Sequence, residues 1–302
     1  MNPMRKFLMA AFVVLLLVTL GCDSQMGSGR FERFGKVYYI DGAGNLGFGQ
    51  DTVPEGLRAA GFQGDVENFI WTTFTGPLGD QLIRINPRLR ADGLKTEIMR
   101  YRRRYPDAPV NIIGLSAGTG VAAFAVESLP KAVMVDNIVM LGSSLASNYD
   151  MTACLEHVKG RVYFLYSSRD AVLTGFIPVT GTIDGQYLVE PAGSIGMRMP
   201  PGRLKQTAEL YREKIVNVPW QPSFERYGYA GGHTDGTSLR FVKYYIAPKL
   251  LGIGRSGAPF RPPLATATAT GDARAVLRGR NSPSPSPDGL PCGSVRALPA
   301  DG

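Results

Sequence analysis

A serine stands at the centre of the pentapeptide GLSAG, Gly114 to Gly118, directly after the apolar run Val110–Leu115. The residues that follow, as far as Leu129, are mostly small and typical of a helix packed closely against its neighbours. A GxSxG sequence between a strand and a helix is a nucleophile elbow, a sharp turn that lifts its serine above the edge of a sheet. The chemistry expected of Ser116 is therefore nucleophilic attack on a carbonyl carbon.

A serine hydroxyl is a weak nucleophile unless a general base lies beside it. The chain has only two histidines, His157 and His233. His233 lies in the glycine-rich segment YAGGHTDG, between a predicted strand and the last predicted helix, which suits a base that reaches over the carboxyl edge of a sheet. His157 lies within a predicted helix in CLEHVKG, and we interpret it as a surface or helix-capping histidine.

A carboxylate is expected to orient the imidazole and to stabilise its protonated form. Asp170, in YSSRDAVL, gives the chain order serine, acid, histidine that is expected after a nucleophile elbow. Asp150 is a rival because it follows the preceding predicted strand. Asp136 begins a strand and so belongs to the opposite edge, whereas Asp235 is too close to His233 in sequence and is expected to cap the last helix.

These side chains need a sheet to hold them, and short apolar runs alternate with helical patterns from Phe34 to about Pro248. Such alternation predicts an α/β fold in three layers, with a mostly parallel sheet flanked by helices. The predicted strands are Lys36–Ile40, Val66–Phe74, Val110–Leu115, Ile138–Leu141, Val162–Tyr166 and Phe224–Tyr229. The predicted helices are Val53–Ala60, Arg88–Tyr105, Gly118–Leu129, Met151–Val158, Lys205–Val216 and a last one from about Ser238.

Two segments depart from this alternation. Residues 171–222 are rich in glycine and proline and predict a lid-like insertion. The apolar residues of the insertion suit an acyl pocket or, equally, plain packing over the sheet; they are Ile177, Leu188, Ile195, Met197 and Met199. Residues 256–302 are a low-complexity tail of proline, serine, alanine and threonine, which we predict to be disordered because it has too little apolar area to bury.

The N-terminal residues 1–22 are predicted to be a secretion signal. Arg5 and Lys6 precede the uncharged run Phe7–Leu20, which is too short to span a bilayer comfortably. The dipeptide Gly21-Cys22 resembles the end of a lipobox, the signal of bacterial lipoproteins, in which the cysteine is lipidated and becomes the new N-terminus. Plain secretion or an uncleaved anchor stays open, since the two residues before Gly21 depart from the family pattern.

That resemblance implies an exported domain, 34–255, tethered to a membrane of the cell envelope by a lipid on Cys22 and the short linker 23–33. The chain of 302 residues has a formal net charge of +8. Its densest basic run, Arg100–Arg104, ends a predicted helix, where cations complement the helix dipole. We interpret this run as a solvated helix end rather than a patch for lipid headgroups or nucleic acid.

The three cysteines do not suggest a structural disulfide, because Cys154 falls in a predicted helix and Cys292 in the tail, while Cys22 is the lipidation candidate. The chain also has no cluster of cysteine and histidine with the spacing of zinc ligands, and no metal site is predicted.

Taken together, the elbow GLSAG, the acid segment SSRDAVL and the histidine segment GGHTDG resemble those of an α/β-hydrolase-fold serine hydrolase of the esterase or lipase type. The resemblance covers about residues 34–250 of the predicted domain 34–255 and implies ester hydrolysis through an acyl-enzyme on Ser116, without a cofactor. A thioesterase, an acyltransferase or a peptidase would use the same residues. A non-catalytic binding protein with this fold is the alternative from a different class.

The glycine loop IDGAGNLGFG, Ile40 to Gly49, has the GxGxxG spacing of a dinucleotide-binding turn. Dinucleotide binding needs an acidic residue at the end of the second strand, but Asp65 and Glu67 fall at its beginning. In the resembled fold this loop supplies an amide of the oxyanion hole, which implies the backbone N–H of Ala43 as one donor and that of Ala117 as the other. Asp41 stands where that family commonly has a histidine.

Overall fold

The computed structural model describes residues 31–71, 85–202 and 205–251. The predicted signal with Cys22, most of the linker 23–33 and the tail 256–302 lie outside the described residues, as does the predicted end of the second strand at residues 72–74. Among the described residues, no helix is long and apolar enough to cross a membrane.

Six parallel strands form one sheet in the order β2-β1-β3-β4-β5-β6. The strands are β1 (Lys36–Ile40), β2 (Asp65–Asn68), β3 (Val110–Leu115), β4 (Asn137–Leu141), β5 (Val162–Tyr166) and β6 (Ile215–Pro219). Because every strand runs in the same direction, the residues that follow each strand meet at one edge of the sheet, where open α/β folds bind their ligands. The predicted parallel sheet is confirmed.

Helices cover both faces of this sheet. The longer ones are α1 (Thr52–Ala59), α2 (Ile85–Arg104), α3 (Gly118–Glu127) and α7 (Lys205–Lys214), and the shorter ones are α4 (Thr152–Glu156), α5 (Ile177–Thr180), α6 (Ala192–Ile195), α8 (Leu239–Phe241) and α9 (Ala247–Leu251). Two π-helical stretches, Val172–Phe176 and Val242–Ile246, precede α5 and α9. The described residues also include 3-10 turns at Glu32–Phe34, Pro222–Tyr227 and Asp235–Thr237.

The core is divided into two by the sheet, as period-two alternation along a strand requires. On β1, Tyr38 and Ile40 pack with α2, α3 and α4, whereas Val37 and Tyr39 pack with α1 and the C-terminal helices. All five residues of β1 and all six of β3 are buried, which explains why these strands are almost continuously apolar.

The last strand lies elsewhere than the sequence predicts. Phe224–Tyr229 is not a strand: it begins as a 3-10 turn whose Phe224 packs against Phe241 at a centroid distance of 5.2 Å. The sixth strand is instead Ile215–Pro219, so the predicted helix Lys205–Val216 is wrong at its last two residues. The physical reason is that Ile215, Val216 and Val218 are β-branched and pair with β5, while Pro219 is tolerated because β6 is an edge strand.

Residues 171–222 therefore contain one strand of the sheet as well as the segment outside it. The apolar residues of this range divide between two environments. Ile177 and Met197 are buried, whereas Leu188 is 91% exposed and Met199 40% exposed. The segment is also joined to the end of β4 by backbone bonds, such as that from Ile183 N to Ser144 O at 3.0 Å.

Candidate active site

The nucleophile elbow has the geometry that its sequence predicts. Ser116 has a φ of +52°, a left-handed conformation that a residue with a side chain adopts only where its surroundings impose it. The flanking glycines permit the turn, since a Cβ on Gly118 would lie 2.4 Å from Ile40 O and one on Gly114 would lie 3.0 Å from Thr119 Cα. Ser116 itself is 9% exposed at the carboxyl edge of the sheet.

The predicted acid and base are in contact. His233 Nδ1 donates to Asp170 Oδ2 at 2.7 Å, and the two side chains are 16% and 3% exposed respectively. The other carboxylate oxygen, Oδ1, accepts the amides of Val172 and Leu173 at 3.1 Å each. Because those two amides fix the rotation of the carboxylate, its remaining oxygen is held towards the imidazole.

Gly142 connects this pair with the serine. It follows Leu141, whose carbonyl accepts the amide of Ser116 at 2.9 Å. A Cβ on Gly142 would lie 3.3 Å from Asp170 Oδ2 and 3.4 Å from His233 Nδ1, and its φ of +48° favours glycine. The elbow and the acid–histidine pair thus share one short piece of backbone at the end of β4.

The glycine-rich loop that carries His233 is held by Asp235 and by the loop that carries Asp170, here called the acid loop. Asp235 Oδ2 accepts the amides of Gly232 at 2.9 Å and Ala230 at 3.1 Å. The expectation that the Asp235 carboxylate caps the last helix is therefore wrong, because its bonds go back into the glycine loop. Gly231, with a φ of +100°, lies so close to the acid loop that a Cβ there would be 2.9 Å from Ser167 Oγ.

The rival residues are occupied elsewhere. Asp150 Oδ1 accepts the amide and the hydroxyl of Thr152 at 3.1 and 2.5 Å, as a residue at the start of a helix does. Asp136 lies at the amino edge, where its Oδ2 accepts Arg102 Nη2 at 2.7 Å. His157 ends α4 and its Nδ1 contacts Val133 O at 2.9 Å, so it is a helix-end histidine, although it is buried rather than on the surface.

The glycine loop after β1 lies directly beside the serine, since a Cβ on Gly42 would be 3.3 Å from Ser116 Cβ. Asp41 shapes this loop from within: its two oxygens accept the amides of Gly42 and Gly47, at 2.8 Å each. Burial raises the pKa of Asp41, and the hydrogen bonds from the loop amides and from Tyr39 oppose that rise. The carboxylate therefore acts as a clamp that connects the two ends of the loop. The loop is held in this way although Asp41 stands where the resembled family commonly has a histidine.

The two amides implied as oxyanion donors are those of Ala43 and Ala117. The amide of Gly42 is engaged by Asp41, and the next amide along the loop is that of Ala43. Ala117 is the N-cap residue of α3, where a backbone N–H has no partner within the helix. Neither amide donates to another group within the part of the chain that the structure describes.

Two features of the candidate site are not predicted from the sequence: the clamp that Asp41 forms across its loop and the position of Gly142 against the acid–histidine pair. The only signal for Gly142 is a glycine placed directly after a predicted central strand, in MLGSS. The clamp of Asp41 had no local signal, because the spacing of the loop glycines matches several functions.

An exposed apolar face lies next to the candidate acid. The stretch 171–183 contains no charged residue, and its Leu173 and Ile177 point into the protein. Val172, Phe176 and Val179, spaced as on one side of a helix, are instead 40%, 45% and 77% exposed. This face begins two residues after Asp170, so it borders the carboxyl edge of the sheet.

Comparisons with known proteins give only distant likenesses. No family model matches the chain, and no curated protein matches it either. Similar solved structures include the esterase PE8, at 14% identity and a TM-score of 0.40, over 67% of this chain and 86% of that one. A cutinase-like protein from Cryptococcus sp. has 15% identity and a TM-score of 0.36, over 74% and 98%.

A Trichoderma reesei cutinase in complex with a phosphonate inhibitor has 18% identity and a TM-score of 0.32, over 47% of this chain and 68% of that one. Likenesses this distant say nothing of the reaction, so the functional conclusion depends on the site itself.

Proposed function

We propose that this protein is a serine hydrolase that cleaves carboxylic esters through an acyl-enzyme on Ser116. The observation that carries the proposal is the 2.7 Å bond between His233 Nδ1 and Asp170 Oδ2, at the same sheet edge as the strained serine. With Nδ1 donating to the carboxylate, the neutral imidazole has its lone pair on Nε2, where it can accept the serine proton.

In this mechanism Ser116 Oγ attacks the ester carbonyl while His233 takes the hydroxyl proton. The amides of Ala43 and Ala117 would hold the negative oxygen of the tetrahedral intermediate, and each such donor typically contributes about 3 kcal/mol. His233 then gives the proton to the leaving alcohol, and a water molecule activated by the same base releases the acid. No step calls for a cofactor.

The substrate class that the surroundings favour is an ester with an apolar acyl or alcohol group. The support is the exposed face of Val172, Phe176 and Val179 beside the acid, together with the absence of charge from 171–183. Apolar side chains exposed in a group next to a site are typical of a surface that binds an apolar partner.

The test is labelling with a fluorophosphonate, which reacts covalently with an activated serine. Wild type should be labelled, whereas Ser116→Ala and His233→Ala should not. Ser128→Ala is the matched control, since this serine lies at the other end of α3, where its Oγ donates to Ala125 O at 2.9 Å. A folded wild type that stays unlabelled would contradict the proposal and favour a binding protein.

We also propose that the chain is exported and carries a lipid on Cys22, which would place it in the cell envelope. The support is the sequence pattern of residues 1–22 alone. Metabolic labelling with an alkyne fatty acid should mark wild type and not Cys22→Ser. Equal labelling of the two proteins would contradict lipidation at Cys22.

A further inference from the structure

A cleft of about 320 Å³ opens at the amino edge of the sheet, opposite the candidate active site. It lies where α2 ends and where the chain enters β3, β4 and β5. Its cationic lining residues are Arg102, Arg103 and Lys159, and its apolar ones include Met99, Val133 and Met134. The cleft therefore combines an apolar floor with positive charge, which is the chemistry of a site for an anionic amphiphile.

Arg102 lines this cleft and is bonded to the surrounding loops, so it does not belong to a solvated helix end. Its side chain is 9% exposed, and its guanidinium donates to Met134 O at 2.9 Å, Ala108 O at 2.6 Å and Asp136 Oδ2 at 2.7 Å. The interpretation of the basic run as wholly solvated is thus wrong for Arg102. Because its bonds fix the loops before β3 and β4, the cleft is a preformed feature.

The other two cations are available to a ligand. Arg103 is exposed and forms no ion pair or hydrogen bond within the described residues. Lys159 is 49% exposed, and its contact with Asp136 Oδ1 is long, at 3.9 Å. Asp136 is already neutralised by Arg102, so the balance of charge at the mouth of the cleft is positive.

The N-terminal end of the described chain starts at the same edge. Glu32 O accepts the hydroxyl of Tyr101, which lies on α2 one residue before Arg102, at 2.5 Å. Lys36 N donates to Pro109 O at 2.8 Å, in the loop that leads from α2 into β3. Phe31, where this described stretch begins, therefore lies beside α2, the helix that also lines one side of the cleft.

Exposed aromatic side chains lie at the start of the described residues, on the same edge of the sheet. Phe31 is 51% exposed and Phe34 45%, and the guanidinium of Arg33 lies 4.7 Å from the ring centroid of Phe34. Exposed aromatic and basic residues together suit the interface of a bilayer, where rings enter the headgroup layer and cations meet phosphate.

We propose that this cleft is a docking site for an anionic phospholipid, an inference that rests on the proposal above that the chain is tethered to a membrane through Cys22. Arg103 and Lys159 would bind the phosphate, and the apolar floor of Met99, Val133 and Met134 would contact the first part of the acyl chains. The site is independent of the ester chemistry, because it lies at the other end of the strands.

Native mass spectrometry of the full chain in detergent tests the proposal, with phosphatidylglycerol and phosphatidylcholine of identical acyl chains as probes. Wild type should retain phosphatidylglycerol in preference. Arg103→Gln/Lys159→Gln should lose about 30-fold in affinity for it, since each cation near a lipid surface contributes about 1 kcal/mol. Arg58→Gln/Arg240→Gln is the matched control: it removes two exposed cations elsewhere and should stay within about threefold of wild type.

Three results would overturn the proposal. The first is unchanged phosphatidylglycerol binding in the Arg103→Gln/Lys159→Gln protein. The second is an equal loss in the control, which would mean that only total charge matters. The third is competition by soluble glycerol phosphate as effective as that of the lipid, which would indicate a site for small anions. The N-terminal cations are present in every variant, so they cannot produce a difference between them.

Discussion

Replacement of Asp170 by asparagine is the most direct test of how the candidate triad works. In the wild type, Oδ1 accepts two backbone amides and Oδ2 accepts His233 Nδ1. In Asp170→Asn the carbonyl oxygen must stay with the two amides, because an NH₂ group there would face two donors. The NH₂ group is therefore directed at His233 Nδ1.

The consequence is that the neutral imidazole of His233 adopts the opposite tautomer. His233 Nδ1 would have to accept a hydrogen bond, so the proton of the neutral ring would move to Nε2 and the base would be lost. This exchange in serine proteases lowers kcat by about 10⁴-fold, and we expect a similar loss here. A loss of that size corresponds to about 5 kcal/mol in the activation barrier.

The assay is the hydrolysis of p-nitrophenyl butyrate, with the melting temperature of each protein measured in parallel. Asp150→Asn is the matched control, because it makes the same exchange at the rival acid, whose carboxylate accepts the amide and hydroxyl of Thr152 at the start of a helix. It should keep kcat within about threefold of wild type. If Asp170→Asn kept more than a tenth of wild-type activity while folded, the tautomer argument would be refuted.

Three further predictions concern residues around the site and the C-terminal helix. Gly142→Ala should lower kcat at least tenfold with a small loss of stability, since its methyl group would press on the acid–histidine pair from 3.3 Å; circular dichroism would separate the two effects. Asp41→Asn should reduce kcat by about 10²-fold and leave KM less affected, because an amide can clamp only one of the two loop amides. Burial lowers the pKa of Lys249 to about 8, so its charged form destabilises the fold below pH 8 and this penalty fades as pH rises towards 10.5. Chemical unfolding should therefore find that wild type gains stability relative to Lys249→Met between pH 7 and pH 9, whatever the offset set by the contacts of the ammonium with the Tyr245 carbonyl and ring.

The sequence predicts most of what local patterns control. The strand Val110–Leu115, the elbow and the order of Ser116, Asp170 and His233 all depend on neighbouring residues, and the structure brings the three side chains to one sheet edge. The sixth strand was missed because an amphipathic helix runs directly into it at Ile215, with no glycine or proline between them. The apolar residues around Ile215 fit the spacing of a helix as well as that of a strand. The pairing of Ile215 and Val216 with β5 is what makes them a strand.

The features that could not be predicted depend on contacts that are distant in sequence. Gly142 matters because Asp170 and His233 close on it from two other loops, and nothing in MLGSS signals that approach. Arg102 has the appearance of one solvated arginine in a basic run, yet its partner Asp136 lies 34 residues away. Partners that are distant in sequence determine whether a charged residue is solvated or holds parts of the fold together. The sequence around the residue does not reveal such partners.

The two proposals together define an orientation that can be tested. If the chain is tethered through Cys22 and docked by its basic cleft, the amino edge of the sheet faces the bilayer and Ser116 faces away from it. A strand of five or six residues is roughly 17–20 Å long, so the serine would lie at least that far above the headgroups. The apolar face beside Asp170 would then meet substrates that arrive from the aqueous side.

The full chain reconstituted into phosphatidylglycerol vesicles should hydrolyse a soluble butyrate ester as fast as it does in detergent, and should leave the ester bonds of the host lipids intact. Release of fatty acid from those lipids at a comparable rate would show that the catalytic edge reaches the bilayer and that the proposed orientation is wrong.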